Sequence, residues 1–65
     1  MNKGQWIRIT NRKLWCCFSL ARIIQKEKDG GFLAMLDRST PNIVYVNNSD
    51  FEMLNKNFEV INEKS

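Results

Sequence analysis

The centre of the chain carries a short turn signal, Asp29-Gly30-Gly31, between two runs of strand-forming residues. Glycine adopts positive φ values without steric cost, and tight turns between antiparallel strands need such values. Residues 23–28 before the signal and residues 32–37 after it are therefore predicted to pair as a β-hairpin. An antiparallel sheet is the architecture that this signal favours.

Three further runs are predicted to be strands, because they alternate in polarity or are rich in β-branched and aromatic residues. They cover residues 5–10, 14–18 and 43–46. The remaining segments of the first two thirds are predicted to be turns or loops: residues 11–13, 19–22 and 39–42.

The last third of the chain changes its period. Ser49 and Glu52 have the spacing of a capping box, and Asp50 beside them suits the positive end of a helix dipole. An apolar stripe follows at spacings of three, four and three: Phe51, Leu54, Phe58 and Ile61. This pattern predicts a helix over residues 50–62.

These elements predict one α+β domain over residues 1–65, a small five-stranded antiparallel sheet, flat or curled, with one C-terminal helix packed on one face. A chain of this length buries only about 60 % of its unfolded surface, so one domain is expected. The residues expected in the core are Ile7, Ile9, Phe18, Phe51, Leu54 and Phe58, with Cys16, Val44 and Val46 also pointing inward. The opposite face is expected to show Trp6, Arg8, Trp15, Cys17 and Tyr45.

Cys16 and Cys17 lie side by side in the most apolar run of the chain, which has no histidine. A structural zinc site needs four ligands, and neighbouring strand residues point to opposite faces. The two sulfurs are therefore not expected to share an ion or to form a relaxed disulfide. We predict that Cys16 is a small core residue, that Cys17 lies at the surface or in an interface, and that the protein has no metal or other cofactor.

Enzyme signatures are not found in the sequence. Gly30-Gly31 lacks the context of a phosphate-binding loop, and the acidic pairs Asp50/Glu52 and Glu59/Glu63 are explained by helix capping and a solvated helix face. We therefore expect a protein that binds rather than one that catalyses.

Positive charge is concentrated in the first part of the chain, although the net charge is only +3. The residues predicted to contact a partner are Trp6, Arg8, Trp15 and Tyr45, with Arg12, Lys13 and Arg22 as a basic rim. Tryptophan, tyrosine and arginine are enriched at protein interfaces, which favours a protein partner. Exposed aromatics with basic neighbours also bind single-stranded RNA or DNA, so a nucleic acid or a ribonucleoprotein stays open, as does a homodimer.

Three segments follow one another in a suggestive order: WIRIT, FSLARIIQKE and VYVNNSDFEML. They resemble the small flagellar FlbD-type family and related short bacterial proteins, which show an aliphatic strand, a turn, a hairpin and a Tyr-Val strand leading into a capped helix. The resemblance implies that fold and a role as a regulatory subunit of a larger assembly, and it brings no catalytic residue. Trp15-Cys16-Cys17 and residues 40–42 depart from the family pattern.

No apolar run approaches the roughly 20 residues that a membrane-spanning helix needs, and the N-terminus does not have the form of a signal peptide. We expect a cytoplasmic protein without membrane contact. Its small size and lack of catalytic motifs predict, most specifically, a phage or mobile-element inhibitor that occludes a bacterial defence complex such as a CRISPR effector. A nucleic-acid-binding module and a regulatory subunit of a flagellar-type assembly are the alternatives.

Overall fold

A computed structural model describes residues 3–40 and 42–61 of the chain. It contains five strands: β1 (Trp6–Ile9), β2 (Leu20–Lys26), β3 (Phe32–Leu36), β4 (Ile43–Val46) and β5 (Phe51–Met53). A single 3₁₀ turn, Asn48–Asp50, joins β4 to β5. The strands form one antiparallel sheet in the order β4-β3-β2-β1-β5. The fold is therefore a small all-β open sheet, with no α-helix among the described residues.

One face of the sheet carries the hydrophobic core. Ile7 on β1 lies directly opposite Ala21 on β2 and Met53 on β5, so aliphatic side chains line up across the strands. The buried apolar residues are Ile7, Ile9, Cys16, Ala21, Ile23, Phe32, Ala34, Leu36, Val46, Phe51 and Leu54, and Leu14, Val44 and Met53 pack against them half-buried. Strand alternation predicted Ile7, Ile9 and Val46 on this face, whereas Ala21, Ile23, Phe32, Ala34 and Leu36 were not assigned to the core.

The sheet curls tightly around this core. Phe32 on β3 and Phe51 on β5 are separated by two strands, which in a flat sheet would place their backbones about 14 Å apart. Their rings nevertheless meet edge to face, with centroids 5.8 Å apart. Because the two ends of the sheet approach each other, its inner face closes without a covering helix.

The central hairpin is confirmed. β2 and β3 pair across the Asp29-Gly30-Gly31 turn, and Gly30 has a φ of 95° that glycine adopts readily. The predicted strands at residues 5–10, 32–37 and 43–46 correspond to β1, β3 and β4, and the predicted strand at 23–28 corresponds to the second half of β2. Within the predicted loop at residues 39–42, Pro41 lies outside the described residues.

The predicted strand at residues 14–18 is wrong. This segment forms consecutive turns, in which the Leu14 amide donates to the Asn11 carbonyl and the Cys17 amide donates to the Leu14 carbonyl. The turns let Leu14 and Cys16 face inward and close one end of the core, which confirms the core assignment of Cys16. Cys17 is half-buried, and both thiols are free.

The predicted turn at residues 19–22 is also wrong, because β2 already begins at Leu20. Ala21 pairs with Ile7 and Arg22 pairs with Trp6, so this part of β2 supplies the hydrogen-bonding partner of β1. Ser19 and Arg22 are polar and the inward-facing Ala21 is small, so this stretch of the sequence carries no strong strand signal.

The predicted C-terminal helix over residues 50–62 is wrong for the described residues, and position 62 lies outside them. Phe51–Met53 form β5, which gives the outer edge of β1 a hydrogen-bonding partner. The Asn55 side-chain oxygen accepts bonds from the amides of Asn57 (2.8 Å) and Glu59 (3.0 Å). These amides are therefore bound in a tight turn and are not available to a helix.

The capping interaction expected between Ser49 and Glu52 is replaced by one between Asn47 and Asp50. The Asp50 carboxylate, rather than that of Glu52, accepts a bond of 2.9 Å from the Asn47 amide and closes the 3₁₀ turn. Its other oxygen accepts a bond of 2.8 Å from the Asn11 side chain, and Asp50 is buried. The acidic residue therefore ties the start of β5 to the end of β1 instead of beginning a helix.

Two of the six predicted core residues are wrong. Phe18 and Phe58 are exposed, and both have left-handed backbone conformations, with φ of 70° and 64°. Each lies in a turn outside the regular elements, so neither strand nor helix periodicity determines its direction. The predictions for Ile7, Ile9, Phe51 and Leu54 are confirmed.

Candidate functional site

The outer face of the sheet carries a row of side chains across four strands. Trp6 on β1 lies directly opposite Arg22 on β2, Arg22 lies opposite Met35 on β3, and Met35 lies opposite Ile43 on β4. Directly opposite residues share a face of the sheet. Ring, guanidinium and aliphatic side chains are thus adjacent on the face that turns away from the core.

Trp6 lies between two partners on this face. The Arg22 guanidinium carbon is 5.3 Å from the centre of the Trp6 ring, within the range of a cation–π contact. The Phe58 ring meets Trp6 edge to face at 5.2 Å, from the turn that follows β5. Phe58 therefore holds the indole from one side while Arg22 lies against it.

A second arginine–tryptophan pair is built by two loops. Trp15, in the turns between β1 and β2, is 66 % exposed, and the Arg38 guanidinium carbon is 5.3 Å from its ring centre. Arg38 follows β3 and donates a hydrogen bond of 2.7 Å from Nη2 to the Ser19 hydroxyl. This bond fixes the guanidinium and so orients it against Trp15.

A shallow depression of about 110 Å³ extends from the Trp6–Arg22 pair to Arg38 of the second pair, and Met35 also lines it. We call the five residues Trp6, Trp15, Arg22, Met35 and Arg38 the arginine–tryptophan surface. Asp37 also lines the depression, so one carboxylate lies among the two guanidiniums. The surface combines two large rings, two fixed cations and a concave centre.

The structure brings only part of the predicted contact set together. Trp6, Trp15 and Arg22 belong to the arginine–tryptophan surface. Arg8 is exposed on the outer face, opposite Leu20 on one side and Glu52 on the other. Arg12 and Lys13 are exposed at the start of the segment that carries Trp15.

Tyr45 lies at a separate place, beside the β2–β3 hairpin. A Cβ atom at Gly31 would overlap the Tyr45 hydroxyl and ring, so glycine is required there for the ring to lie over the backbone. The Gly31 amide donates a 3.0 Å bond to the Asp29 carboxylate and lowers the pKa of Asp29, and a bond from the Tyr45 hydroxyl lowers it further. The same Asp29 bond raises the pKa of Tyr45. Tyr45 thus supports the hairpin through its hydroxyl.

Sequence reasoning missed Arg38, Met35 and Phe58 as members or supports of this surface. Met35 could have been found, because it alternates with the inward-facing Ala34 and Leu36. Arg38 lies outside the strands and Phe58 was assigned to a helix, so no periodic signal placed either beside a tryptophan. Their positions depend on how the loops fold back onto the sheet.

The side chains of this surface offer N–H donors and aromatic contact area. Among the described residues, no group of three or more His, Cys, Asp or Glu side chains is placed to hold a metal ion, and no helix is long and apolar enough to cross a membrane. A guanidinium stacked on an indole keeps N–H groups at its edge, and these groups bind carboxylates or phosphates in a planar, often bidentate geometry. The rings supply apolar contact area around those bonds.

Comparison with known proteins assigns the chain to no family. The chain matches no protein-family model, no curated protein and no solved structure. The resemblance to the flagellar family stays a prediction, although the capped helix that it implied is replaced here by β5 and a turn.

Proposed function

We propose that this protein is a non-enzymatic binding protein that contacts a protein partner through the arginine–tryptophan surface. The observation that carries the proposal is the pairing of Arg22 with Trp6 and of Arg38 with Trp15, beside a depression that Trp6, Arg22 and Arg38 line. Interface hot spots are enriched in tryptophan and arginine and lie in pockets that lose water on binding. Both features occur together at this place.

The position of the surface supports the proposal. The core is closed on the inner face, where Phe32 and Phe51 meet, so the outer rings are not needed to fill it. Trp15 is 66 % exposed, although tryptophan is among the side chains with most to gain from burial. A partner that covers Trp15 would bury this area with little cost in protein rearrangement.

The chemistry of the surface favours an acidic partner. Arg22 and Arg38 are held by ring contacts, and Arg38 also by the Ser19 hydroxyl, so binding a carboxylate costs them little conformational entropy. Guanidinium is more weakly hydrated than ammonium and is the better cation at a desolvated contact. The net charge of +3 would also attract an acidic surface from a distance.

The specific form that we propose is an inhibitor that occludes a bacterial defence complex, such as a CRISPR effector, by covering an acidic or nucleic-acid-binding site on it. Support for this form comes from chain length and from the absence of catalytic motifs in the sequence. A cleavage assay with purified effector tests it, and cleavage that is unchanged by an excess of this protein would contradict it. A subunit of a flagellar-type assembly would bind through the same surface.

A nucleic acid is the second candidate partner, and Trp15 is the observation that favours it. Its ring is largely exposed, and Arg12 and Lys13 precede it on the same segment. Unpaired bases stack on exposed rings, while basic side chains bind the phosphates. This candidate differs from the first in one measurable property, because binding through phosphates weakens steeply as salt rises.

The test is a quantitative affinity capture with two charge-matched double variants. R22A/R38A removes both cations of the surface, whereas K28A/K56A removes two exposed cations from the hairpin and from the turn after β5. Both variants lower the net charge equally, so nonspecific electrostatic losses cancel in the comparison. Captures with and without nuclease, and at low and high salt, separate a protein partner from a nucleic acid.

We expect the wild type and K28A/K56A to retain the same protein after nuclease treatment, and R22A/R38A to lose it by about tenfold or more, as for two hot-spot side chains. Equal retention by R22A/R38A would contradict the proposed surface. Loss of all binding after nuclease would replace the protein partner with a nucleic acid.

A further inference from the structure

The two edges of the sheet are treated differently by the chain. At the β5 edge, the Ile61 amide donates a 2.8 Å bond to the Met53 carbonyl, and Leu54 forms a bridge with Val60. The Asn55 amide also donates to the Glu59 carbonyl at 2.8 Å. Residues 59–61 therefore fold back and cover the Met53–Leu54 end of this edge.

The β4 edge has no such cover among the described residues. The Leu36 amide donates a 2.8 Å bond to the Asn42 carbonyl, which makes these two residues a hydrogen-bonded pair of the β3–β4 ladder. Hydrogen-bonded pairs alternate along an antiparallel ladder, so Val44 and Val46 also direct their backbone groups toward β3. The N–H and C=O groups of Ile43 and Tyr45 consequently point away from the sheet.

The side chains of this edge make it apt for pairing. Ile43 is 56 % exposed and Tyr45 is 44 % exposed. Natural sheets protect open edges with lysine, proline or bulges, and β4, with the sequence IVYV, contains none of these. An open edge with bare backbone groups and apolar side chains is a template for another strand.

The charge distribution of the chain indicates which partner strand could pair with the β4 edge. Residues 39–49, which include β4, form the longest stretch of the chain without a charged residue. Two copies of a molecule with a net charge of +3 repel each other over most surfaces, but not along this stretch. Apart from the Asp29 carboxylate that accepts a bond from the Tyr45 hydroxyl, no charged side chain of β4 itself would select an acidic or basic partner.

We propose that β4 pairs with β4 of a second copy in an antiparallel, two-fold symmetric ladder centred on Val44. Ile43 of one copy then lies opposite Tyr45 of the other, and each such pair exchanges both of its backbone hydrogen bonds, about four bonds in total. The apolar side chains of these residues meet on the outer face. The pairing is isologous, so it closes at two copies.

The pairing continues the outer face of one copy into that of the other, because directly opposite residues share a face. Both arginine–tryptophan surfaces would lie on the same side of one ten-stranded sheet. The proposal does not depend on what those surfaces bind. A partner with repeated sites would, however, bind the pair more tightly than the single chain.

The contact involves few residues and is far smaller than the roughly 1,200–2,000 Å² of a standard stable interface, so a weak dimer is expected. Sedimentation equilibrium should show a monomer at about 10 μM and a growing dimer fraction toward about 1 mM. Amide hydrogen exchange on the same samples should slow by about fivefold or more at Ile43 and Tyr45 across that range. The amides of Val44 and Val46 should be protected throughout.

Two variants of Ile43 sharpen the test. Ile43→Pro removes an outward N–H at the first residue of β4, where the fold of one copy tolerates proline, and it should abolish the dimer. Ile43→Val keeps the N–H and the branched side chain and should dimerise like the wild type. If Ile43→Pro fails to fold, the exchange rates of Ile43 and Tyr45 in the wild type decide the question.

A monomer up to about 1 mM with concentration-independent exchange at Ile43 and Tyr45 would overturn the proposal. So would a dimer that Ile43→Pro leaves intact.

Discussion

The two faces of the curled sheet have opposite chemistry. The inner face is aliphatic and closed, with Ile7 and Ile9 fully buried and the rings of Phe32 and Phe51 in contact across it. The outer face carries Trp6 in cation–π contact with Arg22, and two loops add the pair of Trp15 and Arg38. Inward-facing and outward-facing residues alternate along the same strands, so a strand supplies the core with one set of residues and the exposed face with the other.

This division shows how so short a chain can complete its core and still expose large side chains on the other face. A small domain has few residues to spare for function, because its stability is marginal. Here the curl of the sheet completes the core from one face alone, and the loops add Leu14 and Cys16 at its end. The outer face is then free to vary in composition without loss of the fold.

The largest loss of stability is expected from a substitution on the inner face. Ile9→Ala should lower the free energy of unfolding by about 3 kcal/mol, because it removes a fully buried side chain and leaves a cavity. Met35→Ala, on the outer face of the same sheet, should change it by about 0.5 kcal/mol or less. Urea unfolding followed by circular dichroism measures both. Equal losses would contradict the division between the faces.

The next effect concerns the buried carboxylate that ties β5 to β1. Asp50→Ala should cost about 2–3 kcal/mol, because it leaves the Asn11 side chain and the Asn47 amide without their bonds. Glu52→Ala, two residues later and exposed, is the matched control and should have little effect. Thermal unfolding of the two variants distinguishes the 3₁₀ turn from a helix, in which Glu52 would be the capping residue.

A smaller effect on the free energy of unfolding is expected at the arginine–tryptophan surface. Trp15→Ala should lower the free energy of unfolding by about 0.5–1 kcal/mol, mainly through loss of its contact with Arg38. The same variant should weaken partner capture much more strongly. Unfolding of the domain by Trp15→Ala would show instead that the indole belongs to the core.

The smallest effect is the pH dependence of the hairpin. The lowered pKa of Asp29 means that its ionised form stabilises the fold, a contribution that is lost as pH falls through that pKa. The raised pKa of Tyr45 means that its neutral hydroxyl stabilises the fold, a contribution that is lost as pH rises through that pKa. The difference in melting temperature between wild type and Asp29→Asn should therefore be widest from about pH 5 to about pH 9.

If the difference in melting temperature between wild type and Asp29→Asn stays constant with pH, Asp29 does not act through its charge. Tyr45→Phe is the control, since it removes the hydroxyl but keeps the ring over Gly31. In this variant, the melting temperature should change less at alkaline pH than in the wild type, because no hydroxyl is left to ionise.

The sequence predicted the parts of the fold that have strong local signals. Asp29-Gly30-Gly31 determined a hairpin, and alternation assigned Ile7 and Ile9 to the core. The helix failed because Phe51 and Leu54 serve a strand and its extension, while Asn55 binds the amides that a helix would use. Tertiary pairing with the edge of β1 outweighed the helical spacing of apolar residues.

The sequence could predict those residues of the candidate site that lie on strands, but not those that lie in loops. Trp6 and Arg22 share the outer face by alternation and register. The contact between Trp15 and Arg38 joins two loops that are far apart in sequence, and no pattern in either loop predicts it. Phe18 and Phe58, both with positive φ, point outward for backbone reasons that apolar composition does not reveal.

The most direct test of the arginine–tryptophan surface uses the only two tryptophans of the chain, Trp6 and Trp15. A ¹H–¹⁵N spectrum of the labelled protein shows one indole N–H signal for each. On addition of the captured partner, we predict that both indole signals shift or broaden together, while the side-chain methyl signals of Ile7 and Ile9 on the inner face, followed in a ¹H–¹³C spectrum, keep their positions. Binding that leaves both indole signals unchanged would contradict the assignment of this face to recognition.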